Sequence, residues 1–249
     1  MMQKEIKDFM LMWADNSMIL GQRLGEWCGH GPVLEQDIAL TNIALDLIGE
    51  ARNLYQYLAE NEGKQEDDYP MLRDVRAFKN VLLVEQPNGD WAETMMRQFM
   101  FDCWHYYFVE ELTKSNEARL AAVAKKTLKE VSYHLDFSSE WILRLGDGTE
   151  VSHQKAQDAL DKLIPFFDEM LKPVDYEQYS FDAGIGPDSD VVKMGATEKF
   201  HQVIEKSTLK VPEKYFHKYG GKTGAHSEHL GFIIADMQFM QRAYPSVTW

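Results

Sequence analysis

Two stretches of helical pattern carry the residue types that oxygen chemistry uses. Ala44-Leu45-Asp46-Leu47-Ile48-Gly49-Glu50-Ala51-Arg52 and Lys129-Glu130-Val131-Ser132-Tyr133-His134 set carboxylates and an imidazole among apolar residues. In helical bundles that hold two bridged irons, two helices each supply one carboxylate and the other two each supply Glu-x-x-His. The helix dictates that spacing: residues i and i+3 share a face, so a bridging carboxylate and an imidazole reach the same pair of ions. Carboxylate and imidazole suit iron when coordination positions stay open. Neither stretch reads Glu-x-x-His, so the framework is present and the ligand pattern is not.

Other polar groups have plainer readings. His226-Ser227-Glu228-His229 puts two histidines three apart at the start of the last helical stretch, after Gly220-Gly221-Lys222-Thr223-Gly224. It lacks the spacing of the zincin motif H-E-x-x-H, and helix capping and subunit contact account for it. Glu130 lies next to Val131 and so points roughly 100° away around the helix, which makes it a solvated or interface residue. Arg73, Arg76 and Lys79 form a basic cluster beside Phe78 and Asn80, and a charge run of this kind is usually a solvated face. Cys28 and Cys103, the only two cysteines, lie in apolar helical stretches and are expected as buried free thiols.

The elements that must position these groups are helical throughout. A first helix is predicted from near Lys4 to Cys28, ended by Gly29-His30-Gly31-Pro32. A second runs from about Leu34 to Glu60 and is apolar nearly all round between Ile38 and Leu58, so it is expected to be buried on several sides. A shorter helix is predicted near Tyr69 to Leu83, then a long one capped by Asp90 and reaching Lys114, and another capped by Asn116 and reaching Leu145. A helix near 151–171, a long loop over 172–188, a helix over 190–207 and a last helix to Tyr244 follow. Four long helices with mostly short connections read as a bundle, within one domain over 1–249.

Composition narrows the function. With 40 acidic against 26 basic residues, the net charge of −14 repels phosphate backbones and anionic lipid, which argues against nucleic-acid and membrane partners. No apolar run reaches membrane-spanning length and the start of the chain is charged, so a cytoplasmic location is expected. Trp13, Trp27, Trp91, Trp104, Trp141 and Trp249 are expected in the core, with some of the apolar excess at an interface.

Several blocks in one order carry a resemblance: Gln22-Arg23-Leu24-Gly25-Glu26-Trp27-Cys28-Gly29-His30, Asn42 through Asn53, and Leu82-Leu83-Val84-Glu85-Gln86-Pro87-Asn88-Gly89-Asp90. Leu145-Gly146-Asp147-Gly148-Thr149 and Gly224-Ala225-His226-Ser227-Glu228-His229-Leu230-Gly231 complete it. The chain resembles, over its whole length, the ferritin-like subunits of phenylacetyl-CoA epoxidase, and among them the smaller, non-catalytic PaaC family. The resemblance implies an all-α, ferritin-like four-helix bundle with additional C-terminal helices. Where the catalytic subunits of that family read D-E-x-G-H, this chain has Asp46-Leu47-Ile48-Gly49-Glu50; where they read K-E-E-x-F-H, it has Lys129 to His134. By that reading Ser17, Leu47 and Val131 stand at lost ligand positions, Glu50 is a changed but ligand-capable residue, and Asp102 and His134 are retained. What remains is expected to be a polar cluster inside the bundle, with buried groups paired to one another.

The resemblance implies a structural subunit with no cofactor of its own and no catalytic residue, partnered with a di-iron catalytic subunit and a separate electron-donating reductase; whether the chain alone forms a homodimer is left open by the sequence. It also implies phenylacetyl-CoA as the substrate of the complex, for whose phosphates Arg76, Lys79 and Asn80, with Phe78 near its adenine or pantetheine arm, are candidate contacts. An alternative is an enzyme in its own right, a monooxygenase with a degenerate single-metal site at Glu50, Asp102 and His134. A third is a free-standing storage or binding bundle.

Overall fold

The structure, a computed structural model, describes residues 2–245 and 247, so Trp249 lies outside the described residues. Among them every regular element is helical: α1 (Lys4–Gly25), α2 (Leu34–Glu62), α3 (Asp68–Leu72), α4 (Leu82–Glu85), α5 (Trp91–Leu112), α6 (Ala118–Gly146), α7 (Glu150–Leu163), α8 (Phe167–Leu171), α9 (Asp175–Asp182), α10 (Ser189–Lys206) and α11 (Glu228–Ala243). They fall into two compact units, residues 1–87 with 219–249, and residues 88–218. Among the described residues no helix is long and apolar enough to cross a membrane.

In the first unit α1 and α2 pack antiparallel, as three side-chain pairs show: Lys7 with Glu62, Asp15 with Tyr55, and Ser17 with Glu50. From Phe9 to Gly21 every residue of α1 is buried, so α1, rather than α2, is the enclosed helix. The expectation that α2 is buried on several sides is corrected: its buried residues Leu40, Ile43, Leu47, Glu50, Leu54 and Leu58 follow the helical repeat on one face. Val33, Leu34, Ile38 and Leu45 are left at least half exposed. α1 stops at Gly25 and continues as a turn, which places Cys28 beyond the helix and exposes it, while Cys103 is buried as expected.

The helix expected over 69–83 is three pieces: α3, a 3-10 turn at Val75–Ala77, and α4, with extended backbone between them. The reason is nonlocal. Side chains of α1 take the backbone donors that a continuous helix would direct to its own carbonyls: the Lys79 amide donates to the Asp15 carboxylate at 2.9 Å and the Val81 amide to Asn16 Oδ1 at 2.8 Å. α11 closes over this strap, where Gln238 Nε2 donates to the carbonyls of Pro70 (2.8 Å) and Arg73 (2.9 Å). Gly221 lies against it without room for a side chain, since a Cβ there would stand 2.2 Å from the Asn80 carbonyl oxygen.

In the second unit α5 and α6 also run antiparallel, with Trp91 edge-on to Trp141 at 5.2 Å and Asp102 bonded to Ser138. Asp90 caps α5 as expected, accepting from the Glu93 amide at 3.1 Å. Asn116 does not cap α6. Its amide donates to the Gly184 carbonyl, and Glu117 is the capping residue instead. The helix expected over 151–171 is interrupted at Ile164–Phe166, where Pro165 has no amide hydrogen to continue the ladder. The stretch 172–188 is not all loop: it contains α9, whose start is fixed by Glu177 accepting from the Val174 amide at 3.0 Å. Phe200 of α10 stacks on Phe99 of α5 (5.9 Å) and on Phe167 of α8 (4.6 Å), tying those helices together.

Candidate functional site

The six positions singled out by sequence divide between the units. In the first, Ser17, Leu47 and Glu50 face the α1–α2 contact and are buried. Glu50 is held from both sides, with Trp13 Nε1 donating to Oε1 at 2.5 Å and the Ser17 hydroxyl to Oε2 at 2.8 Å. Trp13 and Ser17 are four residues apart and so share a face, which lets one helix grip a carboxylate of the other. One turn before Glu50 is the methyl-ended Leu47, 1% exposed.

In the second unit, Asp102 of α5 is fully buried and accepts from Gln98 Nε2 and from the Ser138 hydroxyl, both at 2.7 Å. Val131, His134 and Ser138 follow one another at three and four residues along the buried face of α6. Burial pushes the Asp102 carboxyl up to about 6, against the opposing pull of His134, Ser138, His105 and Gln98. Near neutrality this acid therefore sits close to its titration point rather than far above it.

This donor set does not fit two bridged irons. Leu47 and Val131 offer no oxygen, Ser17 is a donor to Glu50, and the carboxylates of Glu50 and Asp102 each accept hydrogen bonds on both oxygens from neighbouring side chains. Among the described residues no three His, Cys, Asp or Glu side chains gather as a metal ion would need. Sequence reasoning named the carboxylates and missed Trp13, Gln98 and Ser138, which hold them. Each lies four residues from a named position (Ser17, Asp102, His134), and that spacing was the available signal.

A further polar centre lies in the first unit. Glu85, fully buried, accepts from Asn80 Nδ2 (3.0 Å), the Ser227 amide (2.9 Å), the Ser227 hydroxyl (2.5 Å) and His226 Nδ1 (2.5 Å). The other ring nitrogen, Nε2, lies 2.9 Å from the Phe78 carbonyl. Both partners of His226 are acceptors, so both ring nitrogens donate and the ring is an imidazolium. Its pKa is raised accordingly: burial works against the charge, and Glu85 overcomes it. Ser227 occupies the N-cap position of α11, yet its hydroxyl serves Glu85 and not the helix, so the capping role expected of this motif gives way to a latch that ties the start of α11 to α4 and, through Phe78, to the strap.

Two comparisons with known proteins bear on this arrangement. The chain matches the family described as phenylacetic acid catabolic protein over residues 1–249. It belongs to that family. It is 44% identical to one of the subunits of the 1,2-phenylacetyl-CoA epoxidase of Escherichia coli (strain K12), over 98% of this chain and 99% of the relative. The two long-helix pairs of this family member, one in each unit, are the complement of helices that a ferritin-like bundle requires.

In this chain the four candidate acyl-CoA contacts are placed differently from one another. Phe78 is buried beneath the Arg73 guanidinium, 4.2 Å from its ring centre, and Asn80 is buried on Glu85. Arg73 is committed to the buried Asp15, which also accepts from Tyr55 at 2.7 Å. Arg76 is exposed, and Lys79 is half-buried with its ammonium 3.5 Å from Asp8. Only Arg76 and Lys79 of the four keep a charged group at the surface.

Proposed function

We propose that this chain is the structural, non-catalytic subunit of a multicomponent phenylacetyl-CoA epoxidase in phenylacetate catabolism. It packs against the di-iron catalytic subunit and holds that subunit's helices, and hence its ligands, in place, because metal-ligand geometry depends on what supports it from behind. Electrons reach the complex from a separate reductase, and the work is done in the cytoplasm. The observation that carries this reading is that Leu47 and Val131, which the resemblance sets at bridging positions, are buried and offer no oxygen, while Glu50 and Asp102 are satisfied internally. The exposed side chains of Val33, just before α2, and of Leu34, Ile38 and Leu45 on it support it, since obligate interfaces are large and more apolar than ordinary surface.

The test is co-expression with the catalytic subunit of a phenylacetyl-CoA epoxidase and purification through a tag on one partner. A stable complex is expected, lost in a chain carrying Ile38→Glu and Leu45→Glu whose own melting temperature is unchanged. Failure of the wild-type chain to form any complex would overturn the proposal.

A further inference from the structure

α1 opens with cations, which the helix itself disfavours, because its amino end already carries a positive partial charge. Lys4 is the first residue of the helix and Lys7 stands one turn on. With Asp8 and Leu11 they line a cleft of about 590 Å³ in the first unit, completed by Lys64 after α2, by Asp68 and Leu72 of α3, and by Lys79 of the strap. In a chain with a net charge of −14, four lysines converge on one cavity.

The arrangement is braced. Glu62 pairs with Lys7 at 2.5 Å and Lys64 at 2.8 Å and accepts from the Tyr69 hydroxyl at 3.0 Å. Burial alone would raise this carboxyl, but its three partners lower it to about 2, so Glu62 stays anionic and holds the two ammonium groups side by side. One carboxylate uses only one of the three donors on each ammonium, leaving the rest for a ligand. Lys79 is 3.5 Å from Asp8, and among the described residues Lys4 makes no ion pair. Lys4, Lys7, Lys64 and Lys79 thus exceed Asp8, Asp68 and Glu62 by one charge before any ligand arrives. Arg73, although at the cleft wall, is spent on Asp15.

We propose that this cleft binds the phosphorylated nucleotide end of coenzyme A or its thioesters, with the lysines on the phosphate oxygens and Leu11 and Leu72 as apolar wall. The proposal rests on the reading of the chain as an epoxidase subunit, and makes it a holding site for the substrate class as well as a scaffold. The volume lies within the range of small-molecule sites. A polyanion suits several ammonium groups spread over three elements better than a single carboxylate, which Glu62 already supplies internally. Sequence reasoning reached Lys79 and missed Lys4, Lys7 and Lys64, because nothing local links the three elements that carry them.

The experiment is calorimetric titration of the purified chain with coenzyme A, adenosine 3′,5′-bisphosphate and inorganic phosphate. The two nucleotides are expected to bind saturably, at least about tenfold more tightly than phosphate, and to lose about tenfold in affinity in Lys4→Glu with Lys79→Glu. The milder Lys4→Ala with Lys79→Ala provides the same readout if the reversed charges impair folding. Absence of saturable nucleotide binding, equal affinity for inorganic phosphate, or binding unchanged in the variants would overturn the proposal. The same variants are purified with the catalytic subunit: a complex that forms without coenzyme A binding by the wild type removes the cleft assignment alone, whereas no wild-type complex removes the epoxidase reading.

Discussion

Glu50 of the first unit and Asp102 of the second are two buried carboxylates, each on a long helix, that are kept in different ways. Glu50 is gripped across a helix pair by an indole N–H and a hydroxyl, both from α1. Asp102 receives one bond from its own helix and one from α6, and burial brings its pKa to about 6, much nearer neutrality than an ordinary aspartate. The contrast shows two ways a helical bundle accommodates a buried carboxyl: with donors from the facing helix, or with donors from its own helix and a neighbour while burial raises its pKa.

The largest effect should come from breaking the grip. Glu50→Ala leaves the Trp13 indole and the Ser17 hydroxyl buried without this acceptor, and should cost about 2–6 kcal/mol in chemical denaturation, from two buried donors losing an acceptor at about 1–3 kcal/mol each. Glu50→Gln keeps an oxygen and should cost less than half of that. Equal losses for the two substitutions would mean that the charge, not the hydrogen-bond geometry, is what the site needs.

The Asp102 side of the comparison is sharpened by pH. Its folded pKa is raised from the ordinary 3.8 to about 6, so the folded chain binds the proton more tightly and stability from this group falls as pH rises from about 4 to about 6. Asp102→Asn should remove a pH-dependent difference of about 3 kcal/mol across that window, read as a flatter stability profile against pH. A profile parallel to that of the wild type would contradict the assignment.

Much of the fold is legible in the sequence, and the exceptions have one kind of cause. α5 is announced by Asp90 and the long helices by their apolar periodicity, all local signals. The strap between α3 and α4 is not, because Asp15 and Asn16, more than sixty residues away, decide where the Lys79 and Val81 amides point. α9 hides in a stretch rich in glycine, proline and aspartate, and Cys28 lies past a helix that ends at Gly25, short of the end predicted at Gly29-His30-Gly31-Pro32. In the candidate site the acids and Leu47 are named through the family resemblance, because their spacing alone does not read as a ligand pattern. Their partners are less legible still, since Trp13 reads equally well as plain core.

His226 offers a smaller effect, at a latch whose acid and base are both charged. Its pKa is raised, so the stabilisation is complete below the ordinary value of 6.5 and disappears as pH rises through the folded value. His226→Gln should therefore destabilise by about 1–3 kcal/mol at pH 6, with the difference from wild type shrinking toward pH 9. A constant difference across that range would show that the ring is neutral in the folded chain. The smallest effect on stability is expected on the exposed face of α2, where Leu45→Glu should stay within about 0.5 kcal/mol by thermal unfolding.

The central claim is that this subunit supports a metal site it does not itself possess. Its most direct test is the iron content of the chain purified alone, after growth with iron, and of the same chain purified with the catalytic subunit, each paired with turnover of phenylacetyl-CoA. Iron well below one atom per chain and no turnover in the isolated subunit, with iron and activity appearing only in the complex, is the predicted result. Stoichiometric iron in the isolated chain, lost on Glu50→Ala, Asp102→Ala or His134→Ala and accompanied by turnover, would contradict it.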